Sequence, residues 1–303
     1  MGQQALLNRV LKGDRQALAR AISVVEAEGR DSRQLLSGLK HTGGAFVLGL
    51  TGPPGTGKST LVDRLIELYR KQGLRVGVVA VDPTSPITGG ALLGDRIRMT
   101  RHTNDPDVFI RSMASRGWSG GLARTTAQVI QLMDAAGFDL ILLETVGIGQ
   151  SDIEVVGVAH AVVVVLTPGL GDDIQVSKAG LMEIGDIYAV NKGDLEGADS
   201  MVVSILSMVR DLKSRSPPVL KVSALKGEGL DSLVLAIDRI RARFNGGDPE
   251  LRLKSLKGMM LEMAKGDVLE RFTSRAEAKA QRLAKDVLAG KLSLSQAASM
   301  LEK

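Results

Sequence analysis

"GLTGPPGTGKST", residues 49–60, decides how the rest of this chain reads. Gly52, four intervening residues and then Gly57-Lys58-Ser59 complete a Walker A pattern. The stretch follows an apolar run, AFVLGLT at 45–51, and opens a helical stretch at 58–72. That strand–loop–helix setting is the context the pattern requires. Glycines let successive backbone N–H groups turn inward around phosphate oxygens, and the helix N-terminus adds positive dipole. Gly52, Pro53, Pro54, Gly55, Thr56, Gly57, Lys58, Ser59 and Thr60 are therefore the candidate phosphate-binding residues. Lys58 is placed to reach the β- and γ-phosphates, and Ser59 to offer its hydroxyl to Mg²⁺.

Outward from this loop, the chain alternates two kinds of segment. Strand-like apolar runs occur at 45–51, 75–81, 107–113, 139–144, 161–167, 186–191 and 219–223. Helical stretches at 58–72, 122–136, 199–214 and 229–243 separate most of them. Near-continuous apolar strands alternating with helices predict an α/β fold, a P-loop NTPase whose mostly parallel sheet is covered by helices on both faces. Residues 5–30 carry helical spacing, with Leu18, Ile22 and Val25 on one face. "NGGDPE" at 245–250 interrupts the alternation, and residues 251–303 read as helix without further strand. The expected organisation is an N-terminal helical extension at 1–42, a nucleotide-binding domain at 43–245 and a C-terminal helical arm at 246–303.

Three further strand ends carry chemistry. "ETVGIGQ" at 144–150 places Glu144 at the end of a strand, suited to water-mediated Mg²⁺ binding. Gly147 can bring its N–H to the γ-phosphate and register its loss. "NKGD" at 191–194 matches N-K-x-D, the guanine signature. Asp194 would accept hydrogen bonds from guanine N1–H and the exocyclic amine, a donor pair that adenine lacks. Asn191 would brace the loop and touch the base, and Lys192 would lie along the ring. "SAL", Ser223, Ala224 and Leu225, follows the next strand and fits the loop that contacts the guanine oxygen.

"VDPTSPITGGALLGDRIRM" at 81–99 supplies two more acids. It follows the strand after the Walker A helix, so it lies outside the carboxyl ends of the sheet, where ligands bind. Asp82 and Asp95 can both approach Mg²⁺, directly or through water. With Ser59 and Glu144 they form the candidate metal set, and Lys58, Asp82 and Glu144 the candidate catalytic set. The loop between the two acids could order with the γ-phosphate and relax after hydrolysis. Ile148 stands where Ras-like GTPases place a water-orienting Gln, so slow hydrolysis is expected. Arg96, Arg98 and Arg101 are candidates for a rate-raising cation, and the role of Gln150 is open.

Composition narrows the classes. There is no cysteine, which excludes disulfides and thiolate metal sites. His41, His102 and His160 stand far apart, which opposes a His-built zinc site. The net charge of +5 comes from scattered residues, and one Trp, two Tyr and five Phe offer no stacking platform, so nucleic acid is not the expected partner. No apolar run approaches a membrane span, and the opening residues lack the apolar core of a signal peptide. The expectation is a cytoplasmic protein.

Several stretches together resemble the methylmalonyl-CoA mutase-associated GTPases, the MeaB/ArgK group. They are ALARAISVVE (17–26), GPPGTGKST (52–60), VAVDPTSPITGGALLGDRIRM (79–99), RSMASRGWSGGLA (111–123), LLETVGIGQSDIEV (142–155) and NKGD. The resemblance runs from about residue 5 to 243. It implies a signal-recognition-type P-loop GTPase that binds GTP or GDP with Mg²⁺ and forms a homodimer through its C-terminal helices. It also implies a chaperone of an adenosylcobalamin-dependent acyl-CoA mutase, which gates cofactor loading and guards the mutase. Lys178, within PGLGDDIQVSKAG (168–180), would link nucleotide state to partner contact. Gly193 stands where the family usually has Ala. No cobalamin-binding Asp-x-His motif is present, so the cofactor is not expected on this chain. The alternatives are a nickel-type metallochaperone GTPase, disfavoured by the missing Cys; a kinase or transport-linked ATPase, disfavoured by NKGD; and a nucleotide-binding module that never turns over.

Overall fold

The computed structural model describes residues 2–39, 44–82, 99–115, 122, 125–145, 154–169, 180–212 and 216–301. All seven expected strands form. They are β1 Phe46–Thr51, β2 Val76–Asp82, β3 Val108–Ala114, β4 Leu140–Glu144, β5 Ala161–Leu166, β6 Ile187–Val190 and β7 Val219–Lys221. They pair in one sheet of order β3-β2-β4-β1-β5-β6-β7, and every pair is parallel. β4 lies between β1 and β2, although it is separated from both in sequence by more than one crossover. The chain thus runs from β1 out to the β3 edge, returns beside β1 and then builds the opposite half. The switch in direction at β1 opens a crevice at the strand C-termini, where such folds bind ligands.

Helix α4, Lys58–Lys71, packs on one face of the sheet together with α8, Leu230–Asn245. Leu61, Val62, Leu65 and Ile66 of α4 meet Phe46, Leu48 and Leu50 of β1 in one buried cluster. The wholly apolar central strands are what two covered faces demand. Helices α5, Thr126–Ala135, α6, Val155–Val158, and α7, Ala198–Leu212, lie in the β3–β4, β4–β5 and β6–β7 connections. Gly49 marks a close approach of α6: a Cβ there would lie 2.4 Å from Val155 Cγ2.

The helical stretch expected at 5–30 is broken into α1, Gln3–Val10, and α2, Arg15–Ala27, followed by α3, Arg30–Ser37. Asp14 causes the first break by capping α2, accepting from the N–H groups of Gln16 and Ala17 at 3.0 Å each. Leu18, Ile22 and Val25 are buried, as their spacing predicts. Arg15 donates to the carbonyl of Asp105 at 2.7 Å, and Arg111 of β3 pairs with Glu26, so α2 is tied to the sheet edge.

The described chain divides into two compact units, Met1–Met259 and Met260–Lys303. Asp248 caps α9, Pro249–Leu288, accepting from the N–H groups of Glu250 and Leu251 at 3.1 and 3.2 Å. In the first unit, Arg252 stacks over Phe244 at 5.0 Å. Gly258 lies against Gly157, whose carbonyl oxygen would be 1.9 Å from an added Cβ. In the second unit, α10, Leu294–Leu301, opens with a reciprocal cap between Ser293 and Gln296. Leu283, Ala276 and Ala297 are buried there. No helix among the described residues is long and apolar enough to cross a membrane.

Candidate nucleotide site

Residues 52–57 turn the chain from β1 into α4, and glycine is required there for two reasons. Gly52, Gly55 and Gly57 all have positive φ, at 140°, 77° and 87°. Two of them also face tight neighbours. A Cβ on Gly52 would lie 2.1 Å from the Val165 carbonyl oxygen, and one on Gly57 2.5 Å from Asn191 Nδ2. Thr56 closes the loop by donating to the Pro53 carbonyl at 2.9 Å. The Lys58 ammonium donates to the carbonyls of Gly52 at 2.8 Å and Pro53 at 3.1 Å, which holds a buried positive charge inside the loop. A cation and a helix N-terminus in one concavity make an anion site.

The acidic side of the site is built by strand order. Glu144 of β4 lies opposite Leu50 of β1 and Ala80 of β2. Asp82 is two residues beyond Ala80, so it shares the face of the sheet that Glu144 occupies, the face covered by α4. Both carboxylates are buried. The Ser59 hydroxyl donates to Glu144 Oε1 at 2.7 Å. Thr145 continues the seam, its N–H on the Leu50 carbonyl at 3.1 Å and its hydroxyl on that of Thr51 at 3.1 Å. A hydroxyl on one carboxylate, with a second buried carboxylate ending the next strand on the same face, is an oxygen-only donor set of the kind that fits Mg²⁺.

The base side centres on Asn191. Its amide Nδ2 donates to the Thr56 carbonyl at 2.8 Å, and its Oδ1 accepts from the Ala224 N–H at 3.0 Å. One buried side chain therefore joins the Walker A loop to the 223–225 segment. Lys192 has φ of 56°, the sharp turn that exposes the loop's next residues. Ser223 donates to Asp194 Oδ1 at 2.8 Å. That hydrogen bond is the main cause holding the Asp194 carboxyl below the usual carboxylate range; Lys226, 3.4 Å from Oδ2, adds to it. Gly193 donates its N–H to the Val222 carbonyl at 2.8 Å, and an added Cβ would lie 2.6 Å from Lys221 Cγ. Leu225 is exposed.

A family model described as methylmalonyl Co-A mutase-associated GTPase MeaB matches residues 18–277. The chain belongs to the MeaB family. A Pyrococcus abyssi protein named as a GTPase is 52% identical over 236 residues, covering 75% of this chain and 72% of its own. A mouse protein named methylmalonic aciduria type A homolog, mitochondrial, is 33% identical over 324 residues, covering 98% and 78% respectively. The crystal structure of an LAO/AO transport system kinase superposes with a TM-score of 0.69 at 26% identity, covering 99% of this chain and 96% of that one.

Against this MeaB-family fold the sequence-derived residues sort into four groups. Ser59 meets Glu144 at the strand ends, with Lys58 opening the same helix and Asp82 ending the neighbouring strand on the same face of the sheet; Asn191, Asp194, Ser223 and Ala224 come together at the base side. Asp95, Gly147 and Lys178 lie outside the described residues, as do Ile148, Gln150, Arg96 and Arg98. Arg101 is committed elsewhere: it pairs with Asp63 at 2.5 Å and Glu67 at 3.3 Å on α4. His102 meets the same Asp63 at 3.0 Å, and His160 accepts from the Val47 N–H at 2.8 Å, so these two histidines serve packing. His41 lies outside the described residues.

Sequence reasoning missed Arg64. Its guanidinium donates from Nε to the Ala224 carbonyl at 3.0 Å and from Nη2 to the Leu225 carbonyl at 3.1 Å. A signal existed: Arg64 stands seven residues after Gly57, hence on the same side of α4 as the glycine that meets Asn191.

Proposed function

We propose that this chain binds GTP with Mg²⁺ and hydrolyses it to GDP and phosphate. We propose further that it serves as a G-protein chaperone of an adenosylcobalamin-dependent acyl-CoA mutase, methylmalonyl-CoA mutase in the first place, gating cofactor loading and protecting the mutase. The observation that carries the nucleotide reading is Asn191, which joins a phosphate-type loop to a loop bearing Asp194 and Ser223. Lys58 would balance phosphate charge. Ser59, Asp82 and Glu144, with Asp95 on sequence grounds, would hold Mg²⁺ directly or through water. Mg²⁺, when bound, would supply charge neutralisation for the bridging phosphate oxygens. Asp194 would select guanine over adenine by accepting from its paired N–H donors. Gly147 and Lys178 keep the γ-phosphate and switch roles on sequence grounds alone.

The family description supports the mutase as partner. Exposed Met260, Leu261, Val268 and Phe272 on α9 support a homodimer. In this reading residues 43–245 carry the nucleotide chemistry, 1–42 brace it and 246–303 serve self-association, in the cytoplasm, with cobalamin held by the mutase. The test is GTP turnover by the purified protein, alone and with such a mutase, with ATP and Lys58→Ala as controls. Slow turnover that rises with mutase and vanishes in the variant is expected. Turnover indifferent to every mutase would remove the partner and keep the GTPase; a preference for ATP would overturn the base reading.

A further inference from the structure

We propose that Arg64 is a specificity-determining positioning residue, which sets the peptides of Ala224 and Leu225 where they can read the 6-oxo group of guanine. The inference rests on the guanine reading above and adds a residue to it. Three facts carry it. Arg64 lies on α4, the helix whose N-terminus forms the phosphate loop. It donates to two consecutive carbonyls, Ala224 at 3.0 Å and Leu225 at 3.1 Å. The Ala224 peptide is also held from its other side, since its N–H donates to Asn191 Oδ1 at 3.0 Å.

The planar guanidinium makes this a two-point clamp that fixes orientation as well as position. Its remaining nitrogen contacts Glu67 at 3.3 Å, which restrains the side chain from the helix side. The segment between Ser223 and Gly227 is short and irregular; without the clamp its two peptides would keep the Asn191 hydrogen bond, local turn bonds and the packing of the buried Ala224 methyl. A backbone donor placed against an oxygen discriminates only when its position is held, because a donor free to rotate accommodates other acceptors. Asp194 is set by Ser223 and Lys226, which flank the clamped peptides, but Ser223 is also held apart from Arg64: its N–H donates to the Glu228 carbonyl at 2.9 Å and its carbonyl accepts from the Gly227 N–H at 2.8 Å. Arg64 should therefore govern recognition at the 6-position much more strongly than recognition at the 2-amino group.

This separation gives a readout that general destabilisation cannot imitate. The affinities of GTP, 6-thio-GTP, ITP and ATP are measured by competition against a fluorescent GDP, for the full chain and for Arg64→Leu. 6-Thio-GTP replaces the 6-oxygen by a poor acceptor and keeps both donors read by Asp194; ITP keeps the oxygen and loses the 2-amino group. The expected result is an about tenfold smaller GTP to 6-thio-GTP ratio in the variant, the size of one well-placed hydrogen bond, with a much smaller change in the GTP to ITP ratio. Arg64→Lys, which retains the charge and can serve one carbonyl, should lie between the two and keeps the test readable where Arg64→Leu does not fold. Equal weakening of all four nucleotides, or unchanged ratios, would overturn the assignment to Arg64. A parent protein that prefers ATP would overturn the guanine reading instead, and that outcome shows before any variant is made.

Discussion

Ser59 and Glu144 are 85 residues apart in the chain, and the hydroxyl of the first donates to Oε1 of the second at 2.7 Å. The bond joins the first turn of the phosphate-loop helix to the C-terminal end of β4. It exists because β4 inserts beside β1, which places an acid at the mouth of the loop.

Glu144→Gln tests what this acid contributes. The amide oxygen can still accept from Ser59, so the fold should hold while the charge is lost. The Mg²⁺ concentration needed for half-maximal GTP turnover should rise about 10–100-fold, the usual range for removing a supporting ligand from a metal site. A magnesium titration of turnover checks this; an unchanged midpoint would remove Glu144 from the metal set.

Asn191→Ala should damage affinity and stability together. It leaves the Thr56 carbonyl and the Ala224 N–H buried without their shared partner. Each such group costs about 1–3 kcal/mol, so a loss of roughly 2–6 kcal/mol is expected in urea unfolding. GDP affinity should fall in parallel, because both loops are released.

The glycines of the loop should separate into two classes. Gly52→Ala meets the Val165 carbonyl at 2.1 Å, a backbone atom that cannot step aside, and should cost more than about 3 kcal/mol or prevent folding. Gly55→Ala meets nothing within 4 Å and carries only the strain of its positive φ, about 1–2 kcal/mol. Thermal midpoints of the two variants decide this; equal effects would contradict it.

Asp105 gives a pH dependence of defined sign. The Arg70 guanidinium, bonded at 2.9 Å, is the main cause holding its carboxyl below the usual range, and the Asp107 N–H adds to it. A folded value depressed below the unfolded one means a contribution fully present above the unfolded value and lost as pH falls through the folded one. Wild type should therefore melt above Asp105→Asn at pH 7, and the gap should close on acidification below about pH 4. A gap that widens toward acid would reverse the assignment.

Much of this protein is legible in its sequence alone. The seven strands, their parallel pairing and the Walker A loop follow from local apolar periodicity and from glycine spacing, which act between near neighbours. The base loop is legible for the same reason, since N-K-x-D is contiguous. The sequence is less informative at 5–30, where one helical period hides a break: Asp14 competes for the backbone N–H groups of the next turn and starts a new helix. Strand order is beyond it. Only the tertiary structure decided that β4 separates β1 from β2, that Asn191 spans from Thr56 to Ala224, and that Arg64 grips the carbonyls of Ala224 and Leu225. These contacts join residues 33 to 161 positions apart. No local propensity encodes them; they arise where the packed sheet and its helices bring distant polar groups into a buried space that obliges them to pair.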